Sequence, residues 1–387
     1  MSRRHRTTME SNLDYPLVPY EAPSWTSTIN KDMIPKYTIK LGTLNTPIQR
    51  WRLPDIPDDF EVFVKRDDMT GSVLTGNKVR KLEFLMADCV DKGCQAVIAC
   101  GGIFSNSCRA AAIAARQMGL DSHLLLWSKE TEMPFTGNAL LDRLVGSNFY
   151  LMPKDCPFQT DVYPRMRQLY AHILKTSGKK AYQIPFGGTN EIGVWGYIAC
   201  FHELMGQGLF ESNYTDIVIA GGSGGSVMGL GIANYLTGSK LKIHGMAACL
   251  TKEYFHNEGD KILRAHGLLA EDGSTGVKTA DIVHFAEVVG IGYGMNTPEE
   301  MECIEKIATK TGIFVDPVYS SKAVYNLIKM MNESPDTLKG KKVLFIHTGG
   351  VFDLFSGVFA SRMNAKSCSE NRVFDWMELT DKVPSSV

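Results

Sequence analysis

The stretch DIVIAGGSGGSVMGLGIANYL, residues 216–236, reads as a β-strand, a glycine turn and a helix in direct succession. The apolar residues after Asp216 give a short buried strand. Gly221, Gly222, Ser223, Gly224, Gly225 and Ser226 follow, and a helix is predicted from Val227. Glycine accepts positive φ and lets the backbone come close to a ligand. Successive N–H groups at a helix start, with two serine hydroxyls beside them, make an anion cradle suited to a phosphate. Two nucleotide motifs fail here. A dinucleotide fingerprint counted from Gly222 and Gly224 ends on Val227. A phosphate-loop pattern from Gly71 and Gly76 has Asn77 where its lysine belongs, and Val79 offers no hydroxyl after Lys78.

The same alternation extends outward along the chain. Strands are predicted at 61–65, 96–100, 123–127, 241–249 and 343–347. Helices are predicted over 78–88, with Val79, Leu82, Leu85 and Met86 at helical spacing, and over 106–118. Such alternation argues an α/β fold with mostly parallel strands. A length of 387 residues suggests two or three domains at about 150 residues each. In open parallel sheets, ligands gather at the carboxyl ends of strands, so the strand-to-helix junctions carry the functional reading.

Composition narrows the classes. Hydrophobic residues at 44% and charged residues at 21% fit a globular chain with a sizeable core. Lys+Arg 41 against Asp+Glu 42 leaves no bulk field for nucleic acid or an anionic membrane. No apolar run approaches the roughly 18 residues of a membrane span. The basic start (Arg3, Arg4, Arg6) lacks the apolar region of a secretory signal, and Glu10 and Asp14 interrupt it as a transit peptide. Nine cysteines without a CxxC pair indicate neither a zinc site nor a disulfide framework, and no metal-ligand spacing occurs elsewhere. Reduced thiols fit a cytoplasmic protein, with the mitochondrion as the second choice.

Four further junctions stand out. Asn77 is a good N-cap, which puts Lys78 in the first helical turn, where the helix dipole and burial disfavour an ammonium. A neutral amine is the nucleophile that Schiff-base chemistry needs. Arg80 and Lys81 are equally plausible cations on physics alone. The turn after residue 100 carries Ser105–Asn106–Ser107 before an Ala-rich helix. Ser105 or Asn106 as N-cap is the plainer reading, and a second anion site for a substrate carboxylate is the functional one. Tyr293 lies in a glycine-rich loop ahead of a Thr297–Pro298–Glu300 capping box, and Tyr319 lies in DPVY, residues 316–319. The last strand runs into His347–Thr348–Gly349–Gly350, where Thr348 could meet a ring nitrogen.

Together these segments resemble the D-cysteine desulfhydrase and 1-aminocyclopropane-1-carboxylate deaminase family, over about residues 37–360. The most specific stretch is KRDD at 65–68 followed by GNKVRKLE at 76–83; the serine–asparagine turn, glycine loop, DPVY and HTGG follow in the family's order. The resemblance implies a pyridoxal-phosphate enzyme of the two-domain tryptophan-synthase-β-like fold, with the cofactor between its domains. It implies that Lys78 carries the cofactor aldehyde, that Asn106 meets the cofactor's 3-hydroxyl and Ser105 the substrate, and that Gly222, Ser223, Gly224, Gly225 and Ser226 hold the phosphate. Tyr293 and Tyr319 resemble the family's active-site tyrosines, and Thr348 its partner of the pyridine nitrogen. Ser320 and Thr348 match the desulfhydrase branch, where deaminases carry Glu and Leu. Ser107 departs from the usual His or Gln, and Phe104 from a commonly polar residue.

The expected reaction is α,β-elimination of D-cysteine to pyruvate, sulfide and ammonia. The alternatives are deamination of 1-aminocyclopropane-1-carboxylate, elimination on another small β-substituted amino acid such as serine or cysteate, and a non-catalytic cofactor-binding protein. The expected organisation is a polar arm (1–36), a large cofactor domain (37–82 with 186–365), a small α/β domain (83–185) and a polar tail (366–387). The resemblance also implies a homodimer.

Overall fold

Parallel strands sort into two sheets whose carboxyl ends meet at one cleft. The computed structural model describes residues 14–129, 131–154, 156–367, 370, 372–374 and 376–377. The readings of residues 1–13 and of most of the tail lie outside these. The strands are β1 (Val18–Pro19), β2 (Tyr37–Thr38), β3 (Ile48–Arg50), β4 (Glu61–Lys65), β5 (Ala96–Gly102), β6 (Asp121–Ser128), β7 (Asn148–Pro153), β8 (Ala181–Gln183), β9 (Asp216–Gly221), β10 (Lys242–Ala247), β11 (His284–Glu287) and β12 (Lys342–Ile346). β1 and β2 pair as an antiparallel ribbon. The larger sheet has the order β11-β10-β9-β12-β4-β3, the smaller β7-β6-β5-β8. Within these two sheets only the β3–β4 pairing is antiparallel. Every strand expected from sequence is present, with ends shifted by a few residues at most. β3, β7, β8 and β11 were not expected. Three of them are only three or four residues long, too short for alternation to register.

Residue alternation sends each face of the larger sheet into its own core. Ile217 and Ile219 of β9 pack with Trp195, Ile198 and Phe201 of the helix Trp195–Gly206. Val218 and Ala220 pack on the other face with Ala323, Val324 and Leu327 of the helix Ser320–Glu333. The lead-in before β2 is tied down: Ile29 is buried, and Trp195 Nε1 donates to Met33 O at 2.8 Å.

Helix α1 (Asn77–Asp91) joins the two halves and runs unbroken across residues 82 and 83. Its Val79, Leu82, Leu85 and Met86 pack with Val97 and Ala99 of β5 and with the alanines of α2 (Asn106–Gln117). Its other side is rooted in ion pairs. Arg80 reaches Asp67 through Nε and Nη2, both at 2.8 Å, and Glu203 through Nη1 at 2.8 Å. Lys65 pairs with Glu203 and donates to Thr46 O at 2.6 Å, while Tyr197 Oη donates to Asp67 Oδ2 at 2.7 Å. Lys65, Asp67 and Arg80 are buried, so the charges depend on one another.

Candidate active site

A cavity of about 330 Å³ opens between the sheets, lined by Lys78, Ser105, Asn106, Ser223, Tyr293 and Tyr319 among others. The structure therefore brings together the glycine turn, the Lys78 turn, the serine–asparagine turn and both tyrosine segments, while no residue of the His347–Gly350 turn lines the cavity.

Lys78 is held by the turn that starts α1. Gly76 is the cap residue, at φ +89°, and a Cβ there would lie 2.6 Å from Thr348 O. Only glycine suits that conformation and that approach. The expectation that Asn77 caps the helix is thus corrected. Asn77 is the first helical residue, and its Nδ2 donates instead to Ser226 Oγ at 3.0 Å, across to the glycine turn. Its backbone N–H donates to Thr348 O at 3.1 Å. Burial pushes the Lys78 amine down to about 8, and only the thiols of Cys249 and Cys108 act against this. The neighbouring basic side chains are committed elsewhere. Arg80 faces Asp67 and Glu203. Lys81 Nζ donates to Gly187 O at 2.7 Å and Thr189 Oγ1 at 3.0 Å. Lys78 alone of the three lines the cavity.

Beneath the glycine turn lies a polar frame that sequence reasoning missed. Thr189 Oγ1 lies 2.7 Å from Ser223 Oγ and accepts from Gly225 N–H at 3.1 Å as well as from Lys81. The helix after the turn begins at Gly225, two residues earlier than expected. Gly222 and Ser223 line the cavity, whereas Gly224, Gly225 and Ser226 form the turn's backing. The GGTN run at 187–190 was the available signal, since it repeats the glycine-and-hydroxyl composition of 221–226.

Ser105 is the N-cap of α2, accepting from Cys108 N–H at 3.2 Å. Its own hydroxyl hydrogen stays available at the cavity wall. Asn106 is nearly buried and locked at both ends of its amide. Nδ2 donates to Asp353 Oδ2 at 2.6 Å, and Oδ1 accepts from Asn138 Nδ2 at 3.1 Å. Asn138 Nδ2 also lies 2.9 Å from Asp353 Oδ1, and Arg109 Nε donates to Asn138 Oδ1 at 2.8 Å. Burial holds the Asp353 carboxyl well above its usual range. No motif pointed to Asp353, because its partners come from segments more than 200 residues away.

Tyr293 and Tyr319 meet at the opposite wall, with their hydroxyls 3.0 Å apart. Burial raises both hydroxyls' pKa, so both stay protonated at neutral pH. The Asp316 carboxylate fixes Tyr319 by accepting the N–H groups of Val318, Tyr319 and Ser320 at 3.0, 2.7 and 2.8 Å. Ser320 Oγ bonds back to Asp316, so this residue is turned into the helix start and not into the cavity. The Thr297–Glu300 capping box is present. Thr348 is buried behind Lys78's turn, its carbonyl taken by Asn77. Among the described residues, no group of His, Cys, Asp and Glu has metal-binding placement.

A buried amine, a glycine-and-hydroxyl anion cradle, a serine at a helix start and a protonated tyrosine pair can bind an anionic aldehyde and a small amino acid side by side. Comparison with known proteins agrees. The family model described as pyridoxal-phosphate dependent enzyme matches residues 39–349. The chain is 42% identical over 348 residues to the mitochondrial bifunctional D-cysteine desulfhydrase/1-aminocyclopropane-1-carboxylate deaminase of Arabidopsis thaliana, spanning 88% of this chain and 84% of that one. It superposes on the crystal structure of an ACC deaminase homologue with a TM-score of 0.74 at 31% identity, covering 88% of this chain and 98% of that one. An O-ureido-L-serine synthase shares the fold, with a TM-score of 0.60 at 14% identity over 86% of this chain and 97% of that one.

Proposed function

This chain belongs to the pyridoxal-phosphate-dependent enzyme family, and from that premise we propose that it is a carbon–sulfur lyase that splits D-cysteine into pyruvate, sulfide and ammonia. The observation that carries the reading is the Lys78 amine, lowered to about 8 by burial and facing the cavity between the glycine turn and the tyrosine pair.

The residues present fit the cofactor. Its phosphate suits the 222–226 turn, where Ser223 and helix-start N–H groups are braced by Thr189 and Lys81. Its aldehyde requires a lysine that is neutral near physiological pH, and Lys78 meets that requirement. Asn106 has one amide hydrogen and one lone pair left for the 3-hydroxyl, and Thr348 is the hydroxyl we assign to the pyridine nitrogen. When bound, pyridoxal phosphate supplies the electron sink that stabilises negative charge at the substrate's α-carbon.

The chain's own groups do the rest. Ser105 and the first N–H groups of α2 orient the substrate carboxylate. Lys78 Nζ faces the cavity and would take the α-proton, a task matched to its lowered pKa. The paired hydroxyls of Tyr293 and Tyr319 keep their protons and deliver one to the departing sulfur. Free thiols at the eight described cysteines suit a reducing compartment, cytoplasmic or mitochondrial. We read the assembly as a homodimer from the family resemblance, which light scattering checks.

A panel of D-cysteine, L-cysteine, D-serine and 1-aminocyclopropane-1-carboxylate, read by sulfide, ammonia and keto-acid release, tests the reading. Sulfide and pyruvate from D-cysteine are expected. 2-Oxobutyrate from the cyclopropane substrate without sulfide from D-cysteine would replace the lyase by the deaminase, an activity also named in the Arabidopsis relative.

Two further outcomes follow from the site. Raising the pH through about 8 neutralises Lys78, so the rate of covalent cofactor attachment to apoprotein should rise about tenfold per unit below that point and flatten above it. An unperturbed lysine would show a rise continuing to about pH 10, and stopped-flow absorbance distinguishes the two. In Gly225→Ala, the added Cβ would lie 2.6 Å from Thr189 Oγ1 and 2.9 Å from Lys81 Nζ. Spreading that frame should weaken cofactor binding about tenfold, some 1.4 kcal/mol, measured as the cofactor Kd with the fold intact by circular dichroism.

A further inference from the structure

A second cavity, of about 420 Å³, adjoins the active-site cleft. Gly102, Trp127, Lys154 and Tyr293 line both spaces. Gly102 stands at their junction and puts no side chain into it; a Cβ there would crowd the boundary, lying 3.3 Å from Trp127 Nε1 and 3.9 Å from Tyr293 Cε1. The larger part of the second cavity's wall is apolar, with Ile103, Phe104, Trp127, Val318 and Val358, and Lys129, Glu132, Lys154 and Asp353 are the charged residues that share it. Elimination from D-cysteine releases one sulfur atom and needs no such space. The Tyr293 hydroxyl, one of the two we assign to protonate the leaving sulfur, belongs to the residue that separates the cavities. A substituent carried on that sulfur would therefore extend past Tyr293 toward the adjoining cavity and its apolar wall.

We propose that the second cavity is a leaving-group subsite, and that the enzyme also eliminates thiols from D-cysteine thioethers bearing an apolar, aryl-sized substituent on sulfur. The proposal rests on the lyase reading of the same site. The Cα–H and Cβ–S bonds break. The Cβ–S electron pair leaves with sulfur, which gains a proton and departs as the free thiol RSH. The three-carbon enamine takes up one water and yields pyruvate and ammonium. Atoms and charge balance with water as the only co-reactant, and no oxidant or reductant is needed.

The test uses holoenzyme and two amino acids that cannot eliminate, D-norvaline and its chain-extended analogue D-2-amino-5-phenylpentanoic acid, with binding followed by calorimetry. The phenyl analogue should bind at least about tenfold tighter, because its ring leaves water for apolar walls. Val358→Asp places a carboxylate on the outer wall, at an exposed first helical position that tolerates it. It should cut that advantage about threefold while D-norvaline binding stays unchanged. S-benzyl-D-cysteine should give phenylmethanethiol and pyruvate in equal amounts. Equal affinity of the two analogues, with D-cysteine still turned over, overturns the subsite and leaves the lyase standing. Absence of D-cysteine turnover together with no D-norvaline binding overturns the lyase reading itself.

Discussion

Lys78→Ala is expected to lower D-cysteine elimination by about 10³-fold or more, since on the proposed function the variant loses both the cofactor's covalent anchor and the group that moves the α-proton. The loss should come with a chemical signature. Borohydride treatment of the wild-type holoenzyme should fix the cofactor to the peptide containing Lys78, and the alanine variant should carry no such label there. Lys78→Arg should be equally inactive, because a guanidinium does not give up its proton in this pH range. Both variants should fold, as the side chain points into the cavity and bridges no carboxylate. If the label appeared on Lys81 instead, the assignment would move by one helical turn. The structure argues against that, since Lys81 Nζ is already held by Gly187 O and Thr189 Oγ1.

Arg80→Met should destabilise the protein by about 3–5 kcal/mol, the usual cost of leaving a buried partner charge uncompensated. Burial opposes the Asp67 charge, but Arg80, Lys65 and the Tyr197 hydroxyl together outweigh it and hold the carboxyl below its usual range. Removing the guanidinium deletes the largest favourable influence on Asp67 and one of the two cations facing Glu203. Urea unfolding should show a lower midpoint with a similar slope. The double variant Arg80→Met/Asp67→Leu should recover part of the loss, because it removes the orphaned charge along with its partner. A single-variant loss under about 1 kcal/mol would mean that water or Lys65 compensates Asp67.

These two residues are two apart in sequence and serve unrelated purposes, which shows where sequence reading succeeds and where it stops. The strand-to-turn-to-helix junction at 216–236 was legible because glycines, serines and apolar residues each have a narrow range of local uses. Lys78 and Arg80 were indistinguishable by charge and helix position. Their directions depend on tertiary partners, with Asp67 and Glu203 on one side and an open cleft on the other. Asn77 looked like a cap because its side chain is a good one, but a bond to Ser226, 149 residues away, claimed it instead. Asp353 and Thr189 were both missed. Asp353 satisfies partners more than 200 residues away and no motif marks its stretch, whereas Thr189 lay in the GGTN run, whose glycine-and-hydroxyl composition was a signal left unread. Ser320 differs again: it was read as a marker of the desulfhydrase branch, and in the structure it bonds to Asp316 and fixes the backbone under Tyr319.

Because α1 runs unbroken from Lys78 into both cores, with Leu82 and Leu85 in one and Phe84 in the other, it forms an axle shared by the two halves. A breathing motion that widens the cleft has to turn about this rod instead of bending it. Lys78 then keeps its distance from the glycine turn while the wall carrying Ser105 swings. Amide protons in the middle of that rod should accordingly be among the slowest in the molecule to exchange with deuterium, and those around Ser105 markedly faster.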